Sequence, residues 1–89
     1  MTSRSVAVVN QLGMHARAAA KFVKLASQYE ADIEVRRGDL TANGRSIMGL
    51  MMLAAGIGTS ISVSASGPEA VPCVDALDAL VSSRFGEDE

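Results

Sequence analysis

SISVSAS, residues 60–66, alternates apolar and hydroxyl side chains without interruption, with Ile61, Val63 and Ala65 on one face and serines on the other. A strict period of two marks a strand buried on one face only, whereas strands covered on both faces read as continuous apolar runs. The serine face is therefore expected to meet water, in an antiparallel sheet covered on one side. Gly67-Pro68 ends the strand.

The flanking sequence supplies the other strands and the cover. Asp32 to Arg37 alternates about Ile33 and Val35, Gly38-Asp39 can turn, and Leu40 to Ala42 can return as a short edge strand before Asn43-Gly44, so a hairpin is expected. Ser5 to Val9 reads as a strand that runs into a turn at Asn10, Gln11 and Gly13. From Ala16 to Tyr29 strong helix formers place Ala19, Phe22, Val23 and Ala26 at helical spacing, away from Lys21, Lys24 and Gln28.

Ser46 stands as an N-cap before a short apolar helix running from Ile47 to Ala54, with Gly56 as its stop. Pro72 suits a first helical turn, and Val74, Leu77, Leu80 and Val81 mark a last amphipathic helix; Gly86 to Glu89 is expected to be a frayed acidic tail. The order is βαββαβα. It predicts an α+β fold: a two-layer open-faced sandwich, a four-stranded antiparallel sheet with three helices on one face.

Composition narrows the function classes. A chain of 89 residues, 48% hydrophobic, supports one core, so one domain over residues 1–89 and one site are expected. The only cysteine, Cys73, allows no internal disulfide, and without a second thiol or an extra histidine nearby neither a structural metal nor a cofactor is expected. The longest uncharged stretch, residues 46–68, is broken by glycines, serines and Thr59 well short of a membrane span, and residues 1–14 hold no apolar run of signal-peptide length. A soluble, cytoplasmic protein with no membrane insertion is the expectation.

The net charge of −2 conceals an asymmetry: Arg4, Arg17, Lys21 and Lys24 precede the first acid, Glu30, whereas residues 69–89 carry six acids against Arg84 alone. The basic end is where an acidic partner would be steered. Nucleic acid is a poor candidate, since the balance is acidic and only Phe22, Tyr29 and Phe85 are aromatic.

The only histidine, His15, falls at the entrance of the first helix. Backbone N–H groups there point outward without intrahelical partners, and the dipole presents partial positive charge, so the amides of Ala16 and Arg17 suit a phosphate. Arg17 could fork onto phosphoryl oxygens during an in-line transfer. No second histidine exists, and residues 1–29 offer neither a cysteine nor a carboxylate to orient His15, so a catalytic dyad or triad is hard to build locally.

Two separated motifs now carry a resemblance. Gly13-Met14-His15-Ala16-Arg17-Ala18, with Arg45-Ser46-Ile47-Met48-Gly49-Leu50 about thirty residues later, resembles HPr, the histidine-containing phosphocarrier of the bacterial phosphotransferase system. Asn10, Phe22-Val23, Gly58 with Ile61-Ser62-Val63, and Gly67 extend the match over nearly the whole chain. The resemblance implies that His15 accepts a phosphoryl group on Nδ1 from phosphorylated enzyme I and passes it to a IIA-type domain, with Arg17 stabilising the group.

It also implies that Ser46 is a regulatory phosphorylation site for an HPr kinase/phosphorylase in organisms that have one. A phosphate there brings roughly −2 charge beside the docking surface. Ile47, Met48, Met51 and Met52 cannot all face inward from one short helix, so some are expected to form an exposed, adaptable patch. The resemblance further implies that this patch adjoins His15, so partner docking is assigned to Met14, Ala20, Lys24, Arg45, Ile47, Met48 and Met51, with a monomer expected.

One departure stands inside the first motif. The family usually has proline where this chain has Ala18, which costs about 0.5–1 kcal/mol of preorganisation and leaves His15 and Arg17 untouched. Two other carriers or binders compete with the main reading: the paralogue NPr of the nitrogen-related phosphorelay, and a regulatory binding module that never carries phosphate. His15 with Arg17 counts against the latter, and an enzyme acting on a small molecule would need a pocket that a one-sided sheet of this size seldom encloses.

Overall fold

The computed structural model describes residues 1–10, 12–53 and 55–86. Strand β1 (Thr2–Ala7) is followed by α1 (Ala16–Ala26), β2 (Asp32–Arg37), β3 (Leu40–Asn43), α2 (Ile47–Met52), β4 (Ser60–Ser66) and α3 (Ala70–Ser82), and then a single 3-10 turn at Arg84–Gly86. The four strands form one antiparallel sheet in the order β1-β4-β2-β3. The expected order βαββαβα and the open-faced architecture are both present. The expected acidic tail lies, beyond Gly86, outside the described residues, as do Gln11 and Ala54 of the expected turn and helix.

Register explains why the sheet has one dry face. Val63 of β4 pairs with Arg4 on one side and Val35 on the other, and Val35 pairs with Ala42. Paired residues share a face, so this row and the row of Ile33 and Ala65 lie under the helices. The alternate row, Ser3, Ser64, Glu34 and Asn43, faces away, and the Ser3 and Ser64 hydroxyls lie 2.6 Å apart on it. The serine face is polar, as its alternation requires.

The helical layer closes over the dry face with Phe22 of α1, Leu50 of α2, and Val74, Leu77 and Val81 of α3, all essentially buried. Burying one such side chain stabilises the fold by about 1.5–3 kcal/mol. Only Leu50 of α2's own six residues is buried, with Leu53 just beyond it, so this helix is held chiefly by Leu50, Leu53 and its cap. Arg37 at the end of β2 donates from Nε to the Leu53 carbonyl, satisfying an acceptor at the C-terminus of α2.

Several boundaries differ from expectation, among them both ends of β1, the end of α1 and the start of α3. Strand β1 begins at Thr2 because its polar first half is paired along β4, Thr2 with Ala65 and Ser3 with Ser64. Helix α1 ends at Ala26, and the chain to Tyr29 is a turn. Helix α3 starts at Ala70, two residues before Pro72; as the third helical residue, proline removes an N–H that has no intrahelical acceptor anyway.

The expected basic end is partly neutralised by folding. Arg4 lies at the edge of the covered face and reaches α3, 2.6 Å from an Asp75 oxygen and 3.0 Å from Asp78. The Asp78 and Asp75 carboxylates raise the Arg4 guanidinium above its ordinary pKa. Lys21 donates to the Phe85 carbonyl at 2.7 Å. Arg4 therefore serves a strand–helix tie, its charge balanced by Asp75 and Asp78.

Candidate functional site

The site is a junction of two loops at the N-terminus of α1. After β1 the backbone continues alongside the chain that leads into β4: Val8 N–H donates to Thr59 at 2.8 Å, and Gly58 N–H donates to Val8 at 2.9 Å. The chain then turns at Asn10, whose fully buried side-chain amide donates to the Gly13 carbonyl at 2.8 Å. Gly13 takes φ +65°, and a Cβ there would run into the Ala55 carbonyl and come within 2.8 Å of the Gly56 Cα. Only glycine fits that conformation and that spacing.

Met14 follows, and its N–H donates to the Ala55 carbonyl at 2.9 Å. Its side chain belongs to the hydrophobic core, 5% exposed. Met14 thus anchors the turn from below and leaves little of its side chain at the surface. The turn delivers His15 as the N-cap of α1, half-buried, with extended backbone (φ −77°, ψ 177°).

The His15 carbonyl accepts the first helical hydrogen bond, from Ala19 at 2.8 Å, while the His15 ring makes no cap bond to the helix. The first-turn amides of Ala16 and Arg17 therefore open toward the side of the molecule where His15 sits, with no acidic residue in that turn. Arg17 is exposed next to them. Ala18, at the position of the usual proline, is buried beneath.

Arg17, Ala20 and Lys24 recur at helical spacing and are all exposed, forming one stripe on α1. Beside it α2 presents Ile47, Met48, Met51 and Met52, every one exposed while Leu50 turns inward. The expected patch thus consists of all four of these residues. Arg45 stands apart from the rest: its guanidinium donates to the Tyr29 carbonyl at 2.9 Å, past the C-terminal end of α1 and so at the end away from His15.

Ser46 caps α2, accepting from the Gly49 N–H at 3.0 Å, and its backbone N–H donates to Asn43. A concavity of about 840 Å³ lies on the open sheet face around Ser3, Glu34, Arg36, Thr41 and Ser64, and its lining includes neither His15 nor Arg17. The histidine is presented on the surface, at the helical end of the molecule.

Three residues of this site escape a reading of sequence alone. Asn10 looks like an ordinary turn former, and its role as brace of the His15 turn depends on burial. Leu12 and Ile57 are isolated apolar residues in two loops 45 positions apart, yet both are exposed, 66% and 60%, where the loops meet. Their signal was an apolar side chain in each of two glycine-containing turns, visible only once the contact of Gly13 with Ala55 and Gly56 is known.

Comparison with known proteins assigns this arrangement to a family. The family model described as "PTS HPr component phosphorylation site" matches residues 2–83. The phosphocarrier protein HPr of Cupriavidus necator is 43% identical over the full length of both chains, and the phosphocarrier protein NPr of Shewanella violacea is 42% identical over 94% of this chain and 92% of its own. The crystal structure of an HPr from Thermoanaerobacter tengcongensis superimposes with a TM-score of 0.95 at 36% identity, covering all of both chains. With a matching model, full-length relatives and the same fold, the chain belongs to the HPr family of phosphocarrier proteins of the phosphotransferase system, which interact with enzyme I and IIA-type components.

Proposed function

We propose that His15 is the phosphoryl acceptor, that Arg17 and the backbone amides of Ala16 and Arg17 stabilise the bound group, and that Arg17, Ala20, Lys24, Ile47, Met48 and Met51 form the docking surface. The observation that carries this reading is His15 at the N-cap of α1, beside the first-turn amides of a helix with no acidic residue in that turn. Nδ1 attacks the phosphorus of phospho-enzyme I as the donor's nitrogen–phosphorus bond breaks. The group stays on nitrogen, so the bond formed is as labile as the bond lost and the relay can run onward to a IIA-type domain.

The carrier has little covalent chemistry to promote. Positioning and charge stabilisation suffice, and these are what the helix N-terminus and the exposed Arg17 offer. Residues 1–89 act as one phosphocarrier domain, cytoplasmic and monomeric, with His15 open to successive partners. Ser46, already at the N-terminus of α2, is the regulatory phosphorylation site where a kinase exists; a phosphate there lies close to Ile47 and Met48 and opposes an acidic partner.

The NPr-type relay is a second reading of the pathway, favoured by the Shewanella violacea relative. Both readings use the same residues. The test of the relay is to phosphorylate the protein, remove enzyme I, and add IIA-type domains of the sugar and nitrogen branches separately. Passage of the phosphoryl group to a domain supports the carrier role and names the branch; retention of the group against both rejects it.

A further inference from the structure

We propose that Met48, Met51 and Met52 make the exposed face of α2 a site of reversible methionine oxidation, at which a peroxide weakens the protein's hold on its phosphotransfer partners. This rests on the reading of that face as a docking surface. Met48 is 71% exposed, Met52 75% and Met51 40%, all within one six-residue helix, whereas Met14 in the core is 5% exposed. The exposed thioethers are thus gathered where partners are read to bind, apart from Met1 at the chain start.

Competition from sulfur elsewhere is small. The single cysteine, Cys73, is fully buried, and burial pushes its thiol upward in pKa, so the reactive thiolate is scarce. The step itself is a two-electron transfer. A methionine sulfur attacks one oxygen of hydrogen peroxide, a sulfur–oxygen bond forms as the oxygen–oxygen bond breaks, and the proton on the transferred oxygen joins the departing hydroxide as water.

The product changes the surface more than it changes the fold. A flexible apolar side chain becomes a polar sulfoxide that needs hydrogen bonds. On a solvated face it takes them from water, so the isolated protein keeps its stability, but a partner covering α2 must strip that water. A methionine sulfoxide reductase with a dithiol restores the thioether, giving a disulfide and water.

The test uses the full chain treated with hydrogen peroxide, peptide masses to place the added oxygen atoms, and steady-state phosphoryl transfer from enzyme I with this protein as the varied substrate. The expected result is oxidation at Met48, Met51 and Met52 with Met14 spared, a rise in KM of about tenfold with kcat nearly constant, and reversal by the reductase. The M48L/M51L/M52L variant, whatever its own untreated KM, is expected to show no change on peroxide treatment. An unchanged KM after full oxidation of the three residues overturns the proposal, as does an equal response in the triple variant. A protein that takes up no phosphoryl group before treatment overturns the docking reading beneath it, a failure distinct from both.

Discussion

The backbone N–H of Met14 donates to the carbonyl of Ala55 at 2.9 Å, which stitches the turn that carries His15 to the chain leaving α2. Helix α1 alone does not set the position of the histidine. The loop after α2, Asn10 and the conformation of Gly13 hold the turn from three sides.

Replacing Gly13 by alanine breaks that seam. The new Cβ meets the backbone of Ala55 and Gly56 at a residue with φ +65°. The expected loss is about 1–3 kcal/mol, together with slower phosphoryl uptake. Gly38→Ala is the control, since Gly38 has a similar φ of +60° but open space around it. Urea denaturation of both variants should rank Gly13→Ala as the more damaging.

Ser46→Ala removes the acceptor of the Gly49 N–H. A lost cap costs about 1 kcal/mol, a large share of what holds a six-residue helix. Ser46→Asp keeps an acceptor at the helix N-terminus while adding negative charge. It is expected to retain near-wild-type stability yet raise the KM for transfer from enzyme I, which equilibrium denaturation and transfer kinetics together can check.

Phe85→Ala tests the C-terminal turn. Arg84 and Phe85 adopt φ +62° and +55°, a left-handed pair that costs free energy, and they do so because the Phe85 ring is buried at the edge of the core while Lys21 takes its carbonyl. The loss expected from truncating the ring is about 3–5 kcal/mol. Lys21→Met should cost only about 1 kcal/mol, the net value of one hydrogen bond. Thermal unfolding of the two variants separates these contributions.

The Cys73 thiol makes stability fall at alkaline pH. Burial raises its pKa in the folded state above that of the unfolded chain, so its contribution is fully present below about pH 8.5 and is lost as pH rises toward the folded value, where the unfolded state releases the proton first. Denaturation curves at pH 7 and pH 10 should show a smaller decline for Cys73→Ala than for the wild type. An identical decline in the two proteins would refute this assignment.

Strands β2 and β4 were legible to the residue because a period of two, bounded by turn residues, leaves little freedom: Asp32–Arg37 and Ser60–Ser66 begin and end where the alternation does. Strand β1 was less so, since Thr2, Ser3 and Arg4 carry no strand pattern and owe their state to pairing with β4. The burial of Phe85 is not legible in the sequence because a single aromatic among serines, an arginine and a glycine has no periodicity, and it depends on two residues leaving the common backbone regions. The strand order is a matter of which edges meet and is not written in any one segment.

The candidate site divides in the same way. His15, Arg17 and Ser46 could be placed from helix-start chemistry, and the outward methionines from the crowding of apolar residues in a short helix. Met14 could not be told from its neighbours, because whether its side chain points into the core depends on the left-handed step at Gly13 just before it. The separation of Arg45 from the histidine likewise follows from its bond to Tyr29, a tertiary contact.

Phosphoryl uptake is the most direct measurement. The protein is incubated with phosphoenolpyruvate and its own organism's enzyme I, and the intact mass is read before and after brief acid treatment, with His15→Ala in parallel. One acid-labile phosphoryl group on the wild type and none on the variant is the expected result. A wild-type protein that stays unlabelled, or a variant that is labelled equally, would contradict the assignment of His15 as the acceptor.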